Sequence, residues 1–302
     1  MQKPPFLKKG DTVAIVSPCG KIQPEVIANA IKWLNSWELE VTLGKNCLNS
    51  WHNFAGSDED RLHDLQTALD DPEIKAIFCS RGGYGMIRLV DSLYFDEFIK
   101  HPKWIVGFSD VTFIHSCLNN MLGFASIHGP MPLKFPDFSK KDASMDHLKN
   151  SLFGEKISYT LPSNKQNIRG KSQGILIGGN LSALTNLNGS RSDFDPYEKI
   201  LFLEDIDEYL YQIDRMLWAM ERCHDLSNLS GLIVGQFSSI KDNDIPFGSS
   251  LQLIFLQHFE KYGIPICFDF PGGHEESNFS LLLGSLTIMD VGNNNNIVEF
   301  LV

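Results

Sequence analysis

Lys103-Trp104-Ile105-Val106-Gly107-Phe108-Ser109-Asp110-Val111-Thr112 changes character halfway along its length. Trp104, Ile105, Val106 and Phe108 form an apolar run that reads as a buried strand, whereas Val111, Ile114, His115 and Leu118 recur at helical spacing. Ser109 stands at the hinge. A serine at a strand-to-helix turn holds its hydroxyl at the carboxyl edge of a sheet, beside unpaired backbone N–H groups and a helix dipole that favours negative charge. Those are the surroundings a nucleophile needs, because the oxyanion formed on attack must meet donors already in place. The same serine could simply cap the helix.

The pattern around this hinge repeats through the first part of the chain. Thr12 to Ser17, Leu39 to Leu43 and Ala76 to Ser80 read as further strands, and Pro24 to Trp37 as a helix with Val26, Ile27, Ala30, Ile31 and Leu34 on one side. Ser57-Asp58-Glu59-Asp60 opens another helix with a capping-box pattern that runs to Leu69. Alternation of this kind predicts a Rossmann-like parallel sheet in an α/β domain over residues 1–135. Residues 136–170 turn polar, with Pro136, Pro162 and a Lys140-Lys141-Asp142 run, and read as a linker. From 171 to 302, short strands (Gly174 to Ile177, Ile200 to Leu203, Leu232 to Gly235, Pro265 to Phe268, Leu281 to Asp290, Ile297 to Val302) predict a β-rich, barrel-like α+β domain. It includes a helix from Tyr209 to Arg222, and Asn293 to Asn296 reads as a solvated turn.

Composition narrows the chemistry. A net charge of −11 over 302 residues argues against a nucleic-acid partner or an anionic membrane surface, both of which need clustered Lys and Arg. No long apolar stretch follows Met1-Gln2-Lys3-Pro4-Pro5, and no run approaches a membrane span, so a cytoplasmic location is expected. Cys19, Cys47, Cys79, Cys117, Cys223 and Cys267 are scattered without CxxC spacing and read as six buried thiols, with no metal site and no cofactor expected.

A serine nucleophile needs a base and an acid to hold that base. Leu201-Phe202-Leu203-Glu204-Asp205 offers a carboxylate at the end of an apolar strand, although an acid there could equally start a helix. Pro271-Gly272-Gly273-His274 offers a histidine after two glycines that permit close backbone approach, although it could be an ordinary surface histidine. Ser80-Arg81-Gly82-Gly83-Tyr84-Gly85 follows a strand with a glycine-rich turn whose N–H groups could receive an anion. Its spacing fits neither GxGxxG nor a P-loop, so oxyanion service suits it better, with Arg81 free to hold a substrate carboxylate or to brace the loop.

Taken in order, Ser80 to Gly85, Gly107-Phe108-Ser109-Asp110, Gly178-Gly179-Asn180-Leu181-Ser182, Leu203-Glu204-Asp205 with Tyr209 and Asp214-Arg215, and Gly273-His274 with Asn278 and Leu283-Gly284 resemble the L,D-carboxypeptidase family of serine peptidases. The resemblance runs from Val13 to Gly284. It implies catalytic Ser109, Glu204 and His274, an oxyanion hole from the N–H groups of Asp110 and Gly83 or else Gly82, and substrate contacts from Arg81, Gly82 and Tyr84. It further implies release of terminal D-alanine from a murein tetrapeptide during cell-wall recycling, no metal, and a homodimer. Cys19 stands where relatives often carry Ser, and Leu282 where many carry Pro; neither touches the three catalytic positions. A microcin-immunity branch of the same family, acting on aminoacyl-nucleotides, is the nearest alternative, although its members tend to be longer. A non-catalytic peptide-binding module would have no reason to keep all three residues. A nicotinamide dehydrogenase is disfavoured because Ser17-Pro18-Cys19-Gly20 lacks the glycine fingerprint.

Overall fold

The computed structural model describes residues 1–301. In chain order the strands are β1 (Thr12–Val16), β2 (Glu40–Leu43), β3 (Ile74–Cys79), β4 (Trp104–Gly107), β5 (Ser126–His128), β6 (Ile157–Pro162), β7 (Gly170–Asn180), β8 (Lys199–Ile206), β9 (Gly231–Ser238), β10 (Ile266–Cys267), β11 (Leu281–Leu283), β12 (Leu286–Val291) and β13 (Asn295–Phe300). The helices are α1 (Pro24–Ser36), α2 (Asp58–Asp70), α3 (Asp96–Lys100), α4 (Thr112–Ser116), α5 (Ala143–Phe153), α6 (Leu181–Thr185), α7 (Leu210–Cys223) and α8 (Leu251–Phe259).

Two sheets organise the molecule. The first has the order β11-β5-β4-β3-β1-β2 and is parallel except for β11 against β5. Its β2-β1-β3-β4-β5 portion is a doubly wound α/β arrangement, in which functional groups gather beyond the carboxyl ends of the strands. The second sheet runs β10-β9-β8-β7-β12-β13-β6, with parallel pairing from β10 to β7 and antiparallel pairing beyond. Reciprocal bonds between Ile168 and Ile266, at 3.1 and 2.9 Å, bring the chain just ahead of β7 back to β10 and curl this sheet towards a barrel. Both α/β character and the β-rich second half therefore follow the expectation.

Side-chain alternation explains how the sheets pack. Trp104 and Val106 join one core with Val13, Phe78, Phe202 and Met289, so the facing sides of the two sheets share it. Ile105 and Phe108 point the other way, into the layer formed with α2 and the helical segment after Ser109. On the far side of the second sheet, Leu201 and Leu203 pack with Leu217 of α7 and Phe255 of α8. Strands buried on both faces read as continuous apolar runs, which is why β4 and β8 were visible in sequence.

Several expectations need correction. The stretch 136–170 holds α5, capped by Asp142 through Ser144 and Met145 N–H groups, and β6, which pairs with β13. Its polarity reflects strand alternation, since Ile157, Tyr159 and Leu161 are buried between exposed neighbours. Leu281 to Asp290 is two strands in two sheets: β11 joins β5, and the chain breaks at Gly284, φ +82°, before β12 joins β7. Asn296 is buried inside β13 rather than solvated, its amide donating to Pro162 O at 3.1 Å and accepting from Asn167 at 3.2 Å. Five cysteines are buried, but Cys223 is exposed at the end of α7, on the outer side of its last turn.

Gly178 fixes how closely β7 and β8 approach. It has φ +127°, and a Cβ there would lie 2.0 Å from Phe202 O. Gly178→Ala is expected to cost about 3 to 5 kcal/mol, the range for strain that the backbone must move to relieve. Chemical denaturation of the two proteins checks this; a loss below about 1 kcal/mol would show that the strands separate easily.

Candidate active site

Ser109 sits where β4 has just ended. Phe108 is extended (φ −154°, ψ −173°), Ser109 then adopts φ +62°, and a 3-10 turn over Ser109–Val111 leads into α4. A non-glycine residue at positive φ is strained, and a serine held this way on a sharp strand-to-helix turn is the arrangement of a nucleophile elbow. The capping role considered for Ser109 is not what the structure has: Phe108 occupies the cap position and no side chain caps the turn.

Glycines let the neighbouring loop close over this turn. A Cβ on Gly82 would lie 2.9 Å from Ser109 Cβ, 3.1 Å from its Oγ and 3.4 Å from Asp110 N. Gly83 and Gly85 follow at φ +111° and +144°. The buried Asp110 carboxylate accepts the Met86 N–H at 2.8 Å and so ties the turn to the glycine loop. Burial raises its pKa, while bonds from Met86, the Cys19 thiol and Gly85 oppose the rise. Cys19, noted in the sequence only as a departure, is thus buried beside this anchor.

Glu204 and His274 meet behind the turn. Glu204 Oε2 lies 2.7 Å from His274 Nδ1, and the carboxylate has no solvent exposure. A carboxylate accepts only, so Nδ1 carries the proton and Nε2 is left available as a base. The His274 ring stands edge-on against Phe108, with centroids 4.8 Å apart, which sets it beside the residue preceding Ser109. Among the described residues no hydrogen bond joins His274 to Ser109 Oγ; contacts of this kind often tighten only around substrate.

The loop carrying His274 is braced from outside. Gln236 donates to Ser277 O at 2.9 Å and accepts from Glu275 N at 3.1 Å, while Lys134 Nζ donates to His274 O at 2.8 Å. Between Leu203 and Asp205 the β8–β9 register shifts, so that one residue of β8, Glu204, faces two of β9, Gly235 and Gln236. Sequence reasoning missed Gln236 and Lys134 because neither lies in a glycine-rich or catalytic-looking run. Asn278, named in the sequence, accepts the Gly273 N–H at 3.1 Å.

Arg81 donates to Gly82 O at 3.3 Å and Lys21 O at 3.2 Å, and pairs with no carboxylate among the described residues. Tyr84 is 56% exposed and, with Gly83, Ser109, Asp110, Asn180 and Ser182, lines a cleft of about 260 Å³. Buried His115 donates through Nε2 to Gly107 O at 2.9 Å, and burial lowers its pKa to about 4, so it is a neutral support under β4.

Residues 13–129 match the family model of the LD-carboxypeptidase N-terminal domain, and residues 173–289 that of the LD-carboxypeptidase C-terminal domain. The chain belongs to the LD-carboxypeptidase family. It is a serine carboxypeptidase, and thus a hydrolase, as its motifs implied. It is 33% identical to a probable murein peptide carboxypeptidase of Bacillus subtilis, over 98% of this chain and 94% of that protein. With the murein tetrapeptide carboxypeptidase of Pseudomonas aeruginosa it shares 30% identity, over 92% of each. The crystal structure of muramoyltetrapeptide carboxypeptidase from Oxalobacter formigenes superimposes with a TM-score of 0.87 at 27% identity, over 96% of this chain and 98% of that one. An MccF-like protein from Bacillus anthracis, TM-score 0.86 and 22% identity over the whole of both chains, shares the fold. In this LD-carboxypeptidase Gly82 lies so close to Ser109 that a side chain there would have to displace it. Gly82→Ala should lower kcat/KM by about 100-fold or more, because a small displacement of reacting groups is costly, while thermal unfolding shifts by only a few degrees. Normal turnover in a folded variant would show that the loop need not approach so closely.

Proposed function

We propose that the chain releases the terminal D-alanine of murein tetrapeptides, cutting the L-to-D bond by acyl transfer to Ser109. The observation that carries this reading is the 2.7 Å bond between buried Glu204 and His274, packed on Phe108 beside a serine at positive φ. The names of the relatives supply the substrate class: murein peptides for the Bacillus subtilis protein and murein tetrapeptides for that of Pseudomonas aeruginosa. We assign action on turned-over wall peptides in the cytoplasm, a homodimeric state, and a division at residues 1–135, 136–170 and 171–302 to the same reading; the middle stretch here is a structured connection.

In the reaction, Ser109 Oγ attacks the carbonyl of the third residue as His274 Nε2 takes the hydroxyl proton. Glu204 orients the ring and stabilises its positive charge. The N–H groups of Asp110 and Gly83 receive the oxyanion, Gly82 and Tyr84 contact the peptide, and collapse of the intermediate expels the D-alanine amine, which takes the proton from His274. Water, activated by the same imidazole, then hydrolyses the ester and restores Ser109. None of these steps calls on a metal or cofactor.

Ser109→Ala should reduce D-alanine release from a murein tetrapeptide by at least about 1,000-fold, as expected for one member of a cooperating set, with the fold retained. Mass detection of D-alanine decides it: wild-type rates in the variant would remove Ser109 from catalysis. Arg81, which faces carbonyls and no acid, is assigned to the free carboxylate of the D-alanine. Arg81→Lys should then lower kcat/KM for the free-acid peptide by about 2 to 4 kcal/mol and scarcely change that for an amidated analogue. Equal losses on both would make Arg81 a loop brace.

A further inference from the structure

Asp205 follows Glu204 on β8 and faces the opposite side of the sheet, as successive strand residues do. It is 2% exposed, and its carboxylate accepts three N–H groups: Asn180 Nδ2 at 2.8 Å, Ser182 N at 2.9 Å and Ile206 N at 2.8 Å. Asn180 is held from two further directions. Its Oδ1 caps α6 by accepting the Ala183 N–H at 3.0 Å, and its own N–H donates to Thr112 Oγ1, also at 3.0 Å, on the helix that follows Ser109. Asn180 and Ser182 both line the cleft at Ser109. One buried carboxylate therefore fixes the wall of the cleft, from a position that touches neither Ser109 nor His274.

We propose that Asp205 is a positioning residue for substrate binding, holding Asn180 and Ser182 in the orientation that receives the peptide beside Ser109. The proposal rests on the peptidase reading above. Its chemistry is directional. A carboxylate offers acceptors on both oxygens, whereas an amide or a protonated carboxyl in its place offers one acceptor oxygen and turns a donor towards groups that are themselves donors. Either change leaves part of the wall unanchored. Burial, and after it the charge of Glu204, push the Asp205 pKa up to about 7, against the bonds from Ile206, Asn180 and Ser182. The carboxylate is thus ionised above that pH and gains a proton as the pH falls through it, so binding is tight on the alkaline side and weakens on the acid side.

Asp205→Asn should raise KM for the tetrapeptide by about tenfold while kcat stays within about threefold, the pattern of lost uniform binding. Its KM should be flat between pH 8 and pH 6, where the wild-type KM rises as the pH is lowered. Asn180→Ser keeps a competent cap on α6 but is too short to reach Asp205, so it should raise KM similarly. The double substitution should then raise KM no further than the larger single one, because the bond lost in Asn180→Ser is one of those that the Asp205 carboxylate makes. A fall in kcat at unchanged KM would overturn the proposal by tying Asp205 to Glu204, and so would additive effects on KM or a wild-type KM independent of pH. If Asp205→Asn does not fold, Asn180→Ser and the wild-type pH profile decide. Affinity of Ser109→Ala for the uncleaved tetrapeptide, measured by calorimetry with and without Asn180→Ser, reads the wall without turnover; absence of D-alanine release by the wild type would instead defeat the peptidase reading.

Discussion

Glu204 is a carboxylate shut away from water, and the molecule has to make that tolerable. A buried charge is costly unless it is paired and hydrogen-bonded, and here the partner is a single imidazole 2.7 Å away on a loop from the far end of the chain. The pair forms only if β8 sits against the first sheet, if the 271–279 loop folds back over β9, and if Phe108 supplies the surface on which the ring rests. Gln236, Lys134 and Asn278 hold the loop from three directions. Much of the polar bonding at this seam therefore serves one carboxylate–imidazole contact.

The turn at Ser109 poses a complementary problem, one of shape rather than charge. Positive φ on a serine is unfavourable, and it persists because the surroundings over-determine it. Below, β4 is buried between β3 and β5; above, Gly82 lies too close to admit a side chain. Asp110 then fastens the turn to Met86. The two sheets contribute differently: the first supplies a strained hinge and a glycine loop, the second a line of alternating side chains in which Glu204 looks to one face and Asp205 to the other.

Much of this was readable in the chain because buried parallel strands announce themselves. Trp104 to Phe108 and Leu201 to Leu203 are apolar on both faces, so the strands, and the residues just beyond them, could be named with no structure in hand. Glycine runs at 82–85 and 272–273 marked close approaches correctly. What was hidden depends on partners far away in sequence. β6 alternates Ile157, Tyr159 and Leu161 with polar residues and looked like a loop until β13 was beside it. Nothing local marks Gln236 as a brace, since its role comes from a bulge created by pairing with β8. The short β5 is only Ser126–His128, below the length at which periodicity speaks.

β11 has a consequence for how the molecule comes into being. Its three residues, Leu281–Leu283, complete the first sheet by pairing with Ser126–His128, across more than half the chain. Until they arrive, a growing polypeptide presents β5 as an unpaired edge, the kind of surface that recruits other strands. Pairing over such a span is slow because the intervening loop must close first. The first sheet is therefore complete only when a segment from the second half of the chain has joined it, and the seam at which Glu204 meets His274 shares that dependence on distant pairing.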